Sequence, residues 1–77
     1  MINELDTPIC YTCVILDLIA LEFPERDITL AYAIALRAAL SGESAPDWNQ
    51  INEAIIKRWS FSVLERVKGF AHRLIGL

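Results

Sequence analysis

The sequence predicts an all-α domain, a compact bundle of about four helices that is expected to self-associate. In four segments the apolar residues recur with helical spacing rather than in the alternation that is typical of a strand. These segments are separated by Pro24, by the stretch 41–46 and by the stretch 59–62. The chain has 77 residues, of which 55% are hydrophobic and 22% charged, so residues 1–77 should form a single domain around one core.

The first helix is predicted over about residues 8–23. Thr7 can act as its N-cap, and Pro8 suits the first helical position because proline lacks the N–H that would be unpaired there. Pro24 disfavours helical backbone at the residue before it, which places the end of this helix near Phe23.

The second helix is predicted over about residues 28–40. Asp27 is a suitable N-cap, and Gly42 can adopt the left-handed backbone that closes many helices. Thr29 and Arg37 are the polar residues that interrupt its otherwise apolar sequence.

Capping boxes predict the starts of the third helix, over about residues 48–59, and of the fourth, over about residues 63–75. In a capping box the N-cap side chain bonds the backbone N–H three residues later, and the side chain at that later position reaches back. The two pairs are Asp47 with Gln50 and Ser62 with Glu65.

The four helices differ in how their polar residues are distributed. Helices three and four each have an apolar face opposite a polar one, with Phe70 and Leu74 on the apolar side of the fourth. The first two helices have no continuous polar face, and a domain of this size can enclose only about one such helix. We therefore expect the chain to self-associate, or to bind an obligatory partner, through these two helices. The expected interface residues are Ile15, Ile19, Ala31, Ala35, Leu36, Ala38 and Leu40. The alanines among them either admit a close helix pair or serve only as good helix formers.

Asp17 places a carboxylate in the middle of the most apolar helix, where an unpaired buried charge would be costly. If the first two helices form an antiparallel hairpin, Arg37 lies about one turn from it. We predict a structural ion pair between Asp17 and Arg37, within the chain or across a dimer, that fixes orientation. The alternative is a solvated Asp17 at the margin of the bundle.

Cys10 and Cys13 form a C-x-x-C motif at the first turns of the first helix. At such a position backbone N–H dipoles stabilise a thiolate, as in disulfide oxidoreductases. That chemistry normally follows a β-strand, and no strand-like segment precedes this motif. We expect both cysteines to be small core residues, and a thiol redox protein is the alternative hypothesis.

We predict no catalytic, cofactor-binding or metal site. The acidic residues are dispersed over helix ends and loops rather than gathered in a cleft. A structural zinc ion takes four ligands, and His72 is the single histidine of the chain. We therefore expect a protein that is not an enzyme and uses no cofactor.

The charge of the chain opposes binding to nucleic acid, because the formal net charge is −3 and the pI is about 4.9. The last helix nevertheless presents Arg66, Lys68 and Arg73 as a candidate partner or phosphate contact. The third and fourth helices, joined by residues 59–62, also have a spacing like that of a helix-turn-helix motif. The basic face could equally be solvated or contact an acidic protein.

The sequence therefore predicts a small non-catalytic protein-interaction or regulatory module. It would oligomerise through its apolar N-terminal helices, and its partners would be further copies of itself or another protein. The alternative is a dimeric, helix-turn-helix-like DNA-binding regulator that uses the basic face of the last helix. Glu4 and Asp6 are unlike the basic start of a signal peptide, and the apolar run 8–16 is shorter than the ~20 residues of a membrane span. We expect no membrane partner and a cytoplasmic location.

Overall fold

Four α-helices account for the secondary structure of residues 9–76, the part of the chain that the computed structural model describes. They are α1 (Tyr11–Ala20), α2 (Glu25–Leu40), α3 (Trp48–Arg58) and α4 (Phe61–Leu74). The predicted all-α fold with four helices is confirmed for these residues. The predicted cap at Thr7 and helix start at Pro8 lie outside them, and α1 begins at Tyr11 with Cys10 as its N-cap.

Two helices begin earlier than the capping residues predicted from the sequence. α2 begins directly after Pro24, so that Asp27 lies in its first turn and its N–H donates to the Pro24 carbonyl. α4 begins after Ser60 rather than Ser62, and the Ser60 hydroxyl accepts the N–H of Val63 at 3.2 Å. Both serines have a side chain that can cap a helix. The start after Ser60 gives a longer helix with more backbone hydrogen bonds.

The turns after α1 and α2 both close through a residue with positive φ. Gly42 has a φ of 76°, and the N–H of Glu43 donates to the Ala38 carbonyl at 2.9 Å, so the predicted glycine stop of α2 is confirmed. After α1 the same position is occupied by Glu22, with a φ of 62°. A side chain with a Cβ is strained in this conformation.

The start of α3 is capped as predicted, but only half of the capping box forms. The Asp47 carboxylate accepts the N–H of Gln50 at 3.1 Å. The N–H of Asp47, which the Gln50 side chain was expected to bond, instead donates to the hydroxyl of Thr12 at 3.0 Å. The cap of α3 is thereby tied to the first turn of α1.

The helices pack as a ring in which each contacts two others. α2 packs on α1 and α4, and α3 packs on the same two helices from the other side. The core lies within this ring, and its largest fully buried side chains are Ile15, Ile28, Ile51, Ile55 and Val67.

Tyr32 spans the centre of the ring from α2 to α3. Its hydroxyl donates to the side-chain oxygen of Asn52 at 2.8 Å, and its ring lies 5.0 Å from that of Trp48. Burial raises the pKa of the Tyr32 hydroxyl above its usual range, and the bond to Asn52 opposes that rise.

Candidate functional site

Most of the residues expected to form a self-association interface lie inside the chain's own core. Ile15 and Ala35 have 0% exposure, and Ile19 and Ala38 are also buried. Among the other expected residues, Ala31 and Leu36 are half-buried, and Leu40 is exposed at the end of α2. The side chains that were expected to meet a second copy are therefore mostly covered by the chain itself, because the ring of helices encloses that side of α1 and α2.

The exposed apolar surface of α2 lies on another side of this helix. Leu30 and Ile34 are 47% and 57% exposed, and they face Phe70 and Leu74 of α4, which are 47% and 57% exposed. Two adjoining depressions of about 440 and 290 Å³ run between the helices, and both are lined by Leu30 and Leu74. We call this feature the α2/α4 groove, formed by Arg26, Leu30, Ile34, Arg37, Phe70 and Leu74.

The two walls of the groove run side by side in the same direction. Glu25 at the start of α2 pairs with Arg66 in the first half of α4, whereas Arg37 lines the same depression as Ile75. On each wall the two exposed apolar side chains are four residues apart and so lie one above the other on the same helix face. The groove is therefore a short apolar trough parallel to two helices.

The base of this trough consists of a small residue and of a polar residue whose hydroxyl already makes a hydrogen bond. Thr29, one of the two polar residues that interrupt the second helix, and Ala33, one turn after it, form a strip beneath the trough and are both buried. The Thr29 hydroxyl donates to the Glu25 carbonyl one turn back, at 3.0 Å, so the strip presents no free polar group to the groove.

Arginines surround the apolar part of the groove. Arg26 and Arg37 are exposed on α2, one turn before Leu30 and about one turn after Ile34. On α4, the Arg73 guanidinium lies over the ring of Phe70, 5.6 Å from its centroid. The α2 wall of the groove therefore carries positive charge at both ends, and Arg73 adds a positive charge beside Phe70 on the α4 wall.

A bidentate ion pair closes one end of the groove. Two guanidinium nitrogens of Arg66 donate to the two Glu25 carboxylate oxygens at 2.6 and 2.7 Å. This hydrogen-bonded pairing lowers the pKa of Glu25 below its usual range and raises that of Arg66. The pair is neutral overall, and it fixes the start of α2 against α4.

The predicted pair between Asp17 and Arg37 is not formed within the chain. Both residues are exposed, and the ion pairs of residues 9–76 are Glu25 with Arg66 and Glu65 with Lys68. The physical reason is register. α1 ends at Ala20 and α2 begins at Glu25, so the hairpin turn has the predicted length but lies three residues earlier in the chain, which moves Arg37 towards the start of α1, away from Asp17.

The basic cluster predicted on the last helix is largely neutralised. Arg66 is held by Glu25, and the Lys68 ammonium lies 3.3 Å from the Glu65 carboxylate. Arg73 covers Phe70 at the groove rim. The turn between α3 and α4 consists of residues 59–60, shorter than the predicted connection.

The cysteines are not core residues, contrary to the expectation. Cys10 and Cys13 are both exposed at the start of α1, and they are joined by a disulfide. The N–H of Cys13 donates to the Cys10 sulfur at 3.2 Å, which makes Cys10 the N-cap of the helix.

Comparisons with known proteins do not identify a family for this chain. A scan against protein-family models and searches of curated proteins and of solved structures found no match to the chain. Within residues 9–76 no group of three or more histidine, cysteine, aspartate or glutamate side chains could hold a metal ion. In the same part of the chain, no helix combines the length and apolar character needed to cross a membrane.

Proposed function

We propose that this chain is a protein-interaction module that binds an acidic amphipathic helix of a partner protein in the α2/α4 groove. The observation that carries the proposal is an apolar trough with an arginine at each end of its α2 wall. The partner would supply aliphatic side chains to the trough and carboxylates to the arginines.

The apolar part of the groove explains why a helix is a suitable occupant. Exposed apolar patches on a small domain often mark protein contacts. An amphipathic helix binds a groove through anchors spaced three or four residues apart. Leu30 and Ile34 on one wall, and Phe70 and Leu74 on the other, have that spacing and leave a gap between the two helices.

The charges around the groove favour an acidic partner. Arg26 and Arg37 line the trough, and Arg73 packs on Phe70 of the opposite wall. Glu25 is already neutralised by Arg66. Carboxylates on the flanks of a bound helix would meet these guanidinium groups at the rim of the interface. Complementary rim charges mainly speed association and reject unsuitable partners, and their effect weakens with added salt.

The same charges oppose a second copy of the chain as the occupant. If two α2 helices met antiparallel with Leu30 level with Ile34 of the other copy, Arg26 would lie within one residue of the level of Arg37 of the other copy. A parallel arrangement would place each arginine level with its own counterpart. Like charges face each other in both cases, which disfavours pairing. Self-association, expected from the sequence, is therefore the competing hypothesis.

The neutralised cluster on α4 makes nucleic acid a poorer candidate. Arg66 and Lys68 already have carboxylate partners, and freeing them for phosphate would break those pairs. An apolar trough also offers no hydrogen bonds to a phosphate backbone, which supplies most contacts in protein–DNA interfaces.

A designed peptide tests the proposal directly. The probe is a fluorescein-labelled helical peptide with two leucines four residues apart and glutamates one turn before and one turn after them. One matched peptide replaces the glutamates with lysine, and another replaces the leucines with serine. We expect the acidic peptide alone to bind, measured by fluorescence anisotropy, and its affinity to fall with added salt.

Variants of the protein locate the binding site. Ile34→Ser should weaken binding by about tenfold or more, as expected for an anchor worth over about 1.4 kcal/mol, and Arg37→Gln should reduce the salt dependence. Leu21→Ser is the matched control, because Leu21 is 70% exposed at the end of α1 and lies outside the groove. Equal binding of the lysine peptide would overturn the proposal. A dimer lost on Ile34→Ser would assign the groove to a second copy, and duplex DNA binding lost on Arg73→Gln would assign this face to nucleic acid.

A further inference from the structure

The disulfide between Cys10 and Cys13 joins two positions of one helix turn. Their Cα atoms are 5.2 Å apart, and both residues are exposed at the start of α1. The bond does not connect two elements of the fold, because both cysteines already lie at the same helix end. Both cysteines are exposed, so the disulfide lies at the surface of the protein.

The surroundings of Cys10 favour its thiolate form. As the N-cap of α1, its sulfur accepts the N–H of Cys13 at 3.2 Å. The N-terminal amide groups of a helix carry partial positive charge and stabilise an adjacent anion. Cleavage of the disulfide therefore leaves the negative charge most stable on Cys10, which makes this cysteine the attacking thiolate in the reduced protein.

An apolar pocket is lined by the residues that flank the two cysteines in the sequence. It has a volume of about 110 Å³ and is lined by Ile9, Tyr11, Val14, Ile15, Ala31 and Ile34. Ile9 directly precedes Cys10, and Val14 directly follows Cys13 in the sequence. A polypeptide that presents its sulfur to Cys10 therefore meets a small apolar pocket whose lining includes the residue next to Cys10 in the sequence.

We propose that Cys10 and Cys13 form a thiol–disulfide exchange site for polypeptides that carry an aliphatic side chain next to their own cysteine. The Cys10 thiolate attacks one sulfur of a substrate disulfide, whose other sulfur leaves as a thiolate and takes a proton from water. The Cys13 thiol loses its proton to water and attacks the Cys10 sulfur. This step forms the Cys10–Cys13 disulfide and releases the second substrate thiolate. Two electrons thus pass from the cysteine pair to the substrate, and the reverse sequence oxidises a substrate dithiol.

Synthetic peptides test both the chemistry and the pocket. Each peptide has one cysteine blocked as a mixed disulfide with thionitrobenzoate, flanked by leucine in one peptide and by serine in its match. The fully reduced protein is mixed with each peptide, and release of thionitrobenzoate is followed by absorbance. We expect the leucine peptide to react about tenfold faster, because burying a leucine side chain is worth about 1.5 kcal/mol.

Three variants assign the roles of the residues. Cys10→Ser keeps a side chain that can cap α1 and should abolish the fast reaction. Cys13→Ser should accumulate a peptide adduct on Cys10, detected by mass spectrometry. Ile9→Ser should remove the preference for leucine, whereas the control Leu21→Ser should retain it. Circular dichroism of each variant checks that the helices are intact.

The proposal is overturned by a reaction no faster than that of a free cysteine in an unstructured peptide. An adduct on Cys13 in the wild-type protein, or equal rates for the two peptides, would also overturn it. Ile34 lines both this pocket and the α2/α4 groove, whereas Ile9 lines the pocket and not the groove. The Ile9→Ser result is therefore independent of whether the groove binds a helix.

Discussion

Truncating Ile15 and Ile34 to alanine should have very different effects on stability, although both isoleucines lie in the apolar helices α1 and α2. Ile15 has 0% exposure, and loss of such a side chain costs about 2–5 kcal/mol because the cavity collapses only partly. A chain of 77 residues has a total free energy of unfolding of about 4–12 kcal/mol. Ile15→Ala should therefore remove a large part of the stability.

Ile34→Ala should cost less than about 1 kcal/mol. Three carbons are removed, worth about 2.4 kcal/mol if they were fully buried, but Ile34 is 57% exposed. Ile34→Ala therefore loses less than half of this burial free energy. The higher helix propensity of alanine offsets roughly a few tenths of a kcal/mol of that loss.

Urea unfolding, followed by circular dichroism and by fluorescence of Trp48 and Trp59, measures both variants. Each curve gives a free energy of unfolding by linear extrapolation. Equal costs for the two variants, or a smaller cost for Ile15→Ala, would refute the assignment of Ile15 to the core and of Ile34 to the open groove.

Three further substitutions test individual contacts by the same urea unfolding measurement. Glu22→Gly should raise the free energy of unfolding by roughly 0.5–1 kcal/mol, since glycine removes the strain of a φ of 62°; a loss of stability would contradict this. Tyr32→Phe should lower it by about 1 kcal/mol by removing the hydrogen bond to Asn52, and no change would show that the bond contributes nothing. Because the pKa of Glu25 is lowered, its pairing with Arg66 stabilises the fold fully at pH values above the ordinary glutamate pKa of 4.5. This contribution is lost as the pH falls through the lowered pKa of Glu25. Arg66→Gln should therefore lose stability at neutral pH and show a shallower acid dependence than wild type, and parallel pH profiles would contradict the pairing.

Local signals in the sequence were sufficient to predict the number of helices and some of their ends. The Gly42 stop and the Asp47 cap depend on one residue and its immediate backbone, so their chemistry is visible in a short window. The starts of α2 and α4 were placed too late because Asp27 and Ser62 are good caps by the same local criterion. The chain instead begins these helices after Pro24 and Ser60.

Which face of α1 and α2 is buried could not be predicted from periodicity. Both helices are apolar on most sides, so hydrophobic spacing gives no preferred direction. The ring of helices decides it, covering Ala35 while leaving Leu30 and Ile34 exposed. On α4 the apolar side that includes Phe70 was recognised, but it is wider than the core it faces, and its excess forms one wall of the groove.

The contacts that close the fold have no local signal. Glu25 and Arg66 are 41 residues apart in the chain, and Tyr32 and Asn52 are 20 apart. Each residue has many possible partners until the helices are packed. The cysteines were misplaced for a related reason: cysteine is often buried, but these two lie at a helix start that turned out to be exposed.

The most direct test of the proposed interaction surface is a titration of isotopically labelled protein with the acidic helical peptide, followed by amide correlation spectra. We predict that the largest shift changes map to the exposed walls of the α2/α4 groove, at and around Leu30, Ile34, Phe70 and Leu74, with little change in α3. Largest changes in α3, or no changes at peptide concentrations near the millimolar range that weak binding requires, would contradict the assignment of this groove as a helix-binding site.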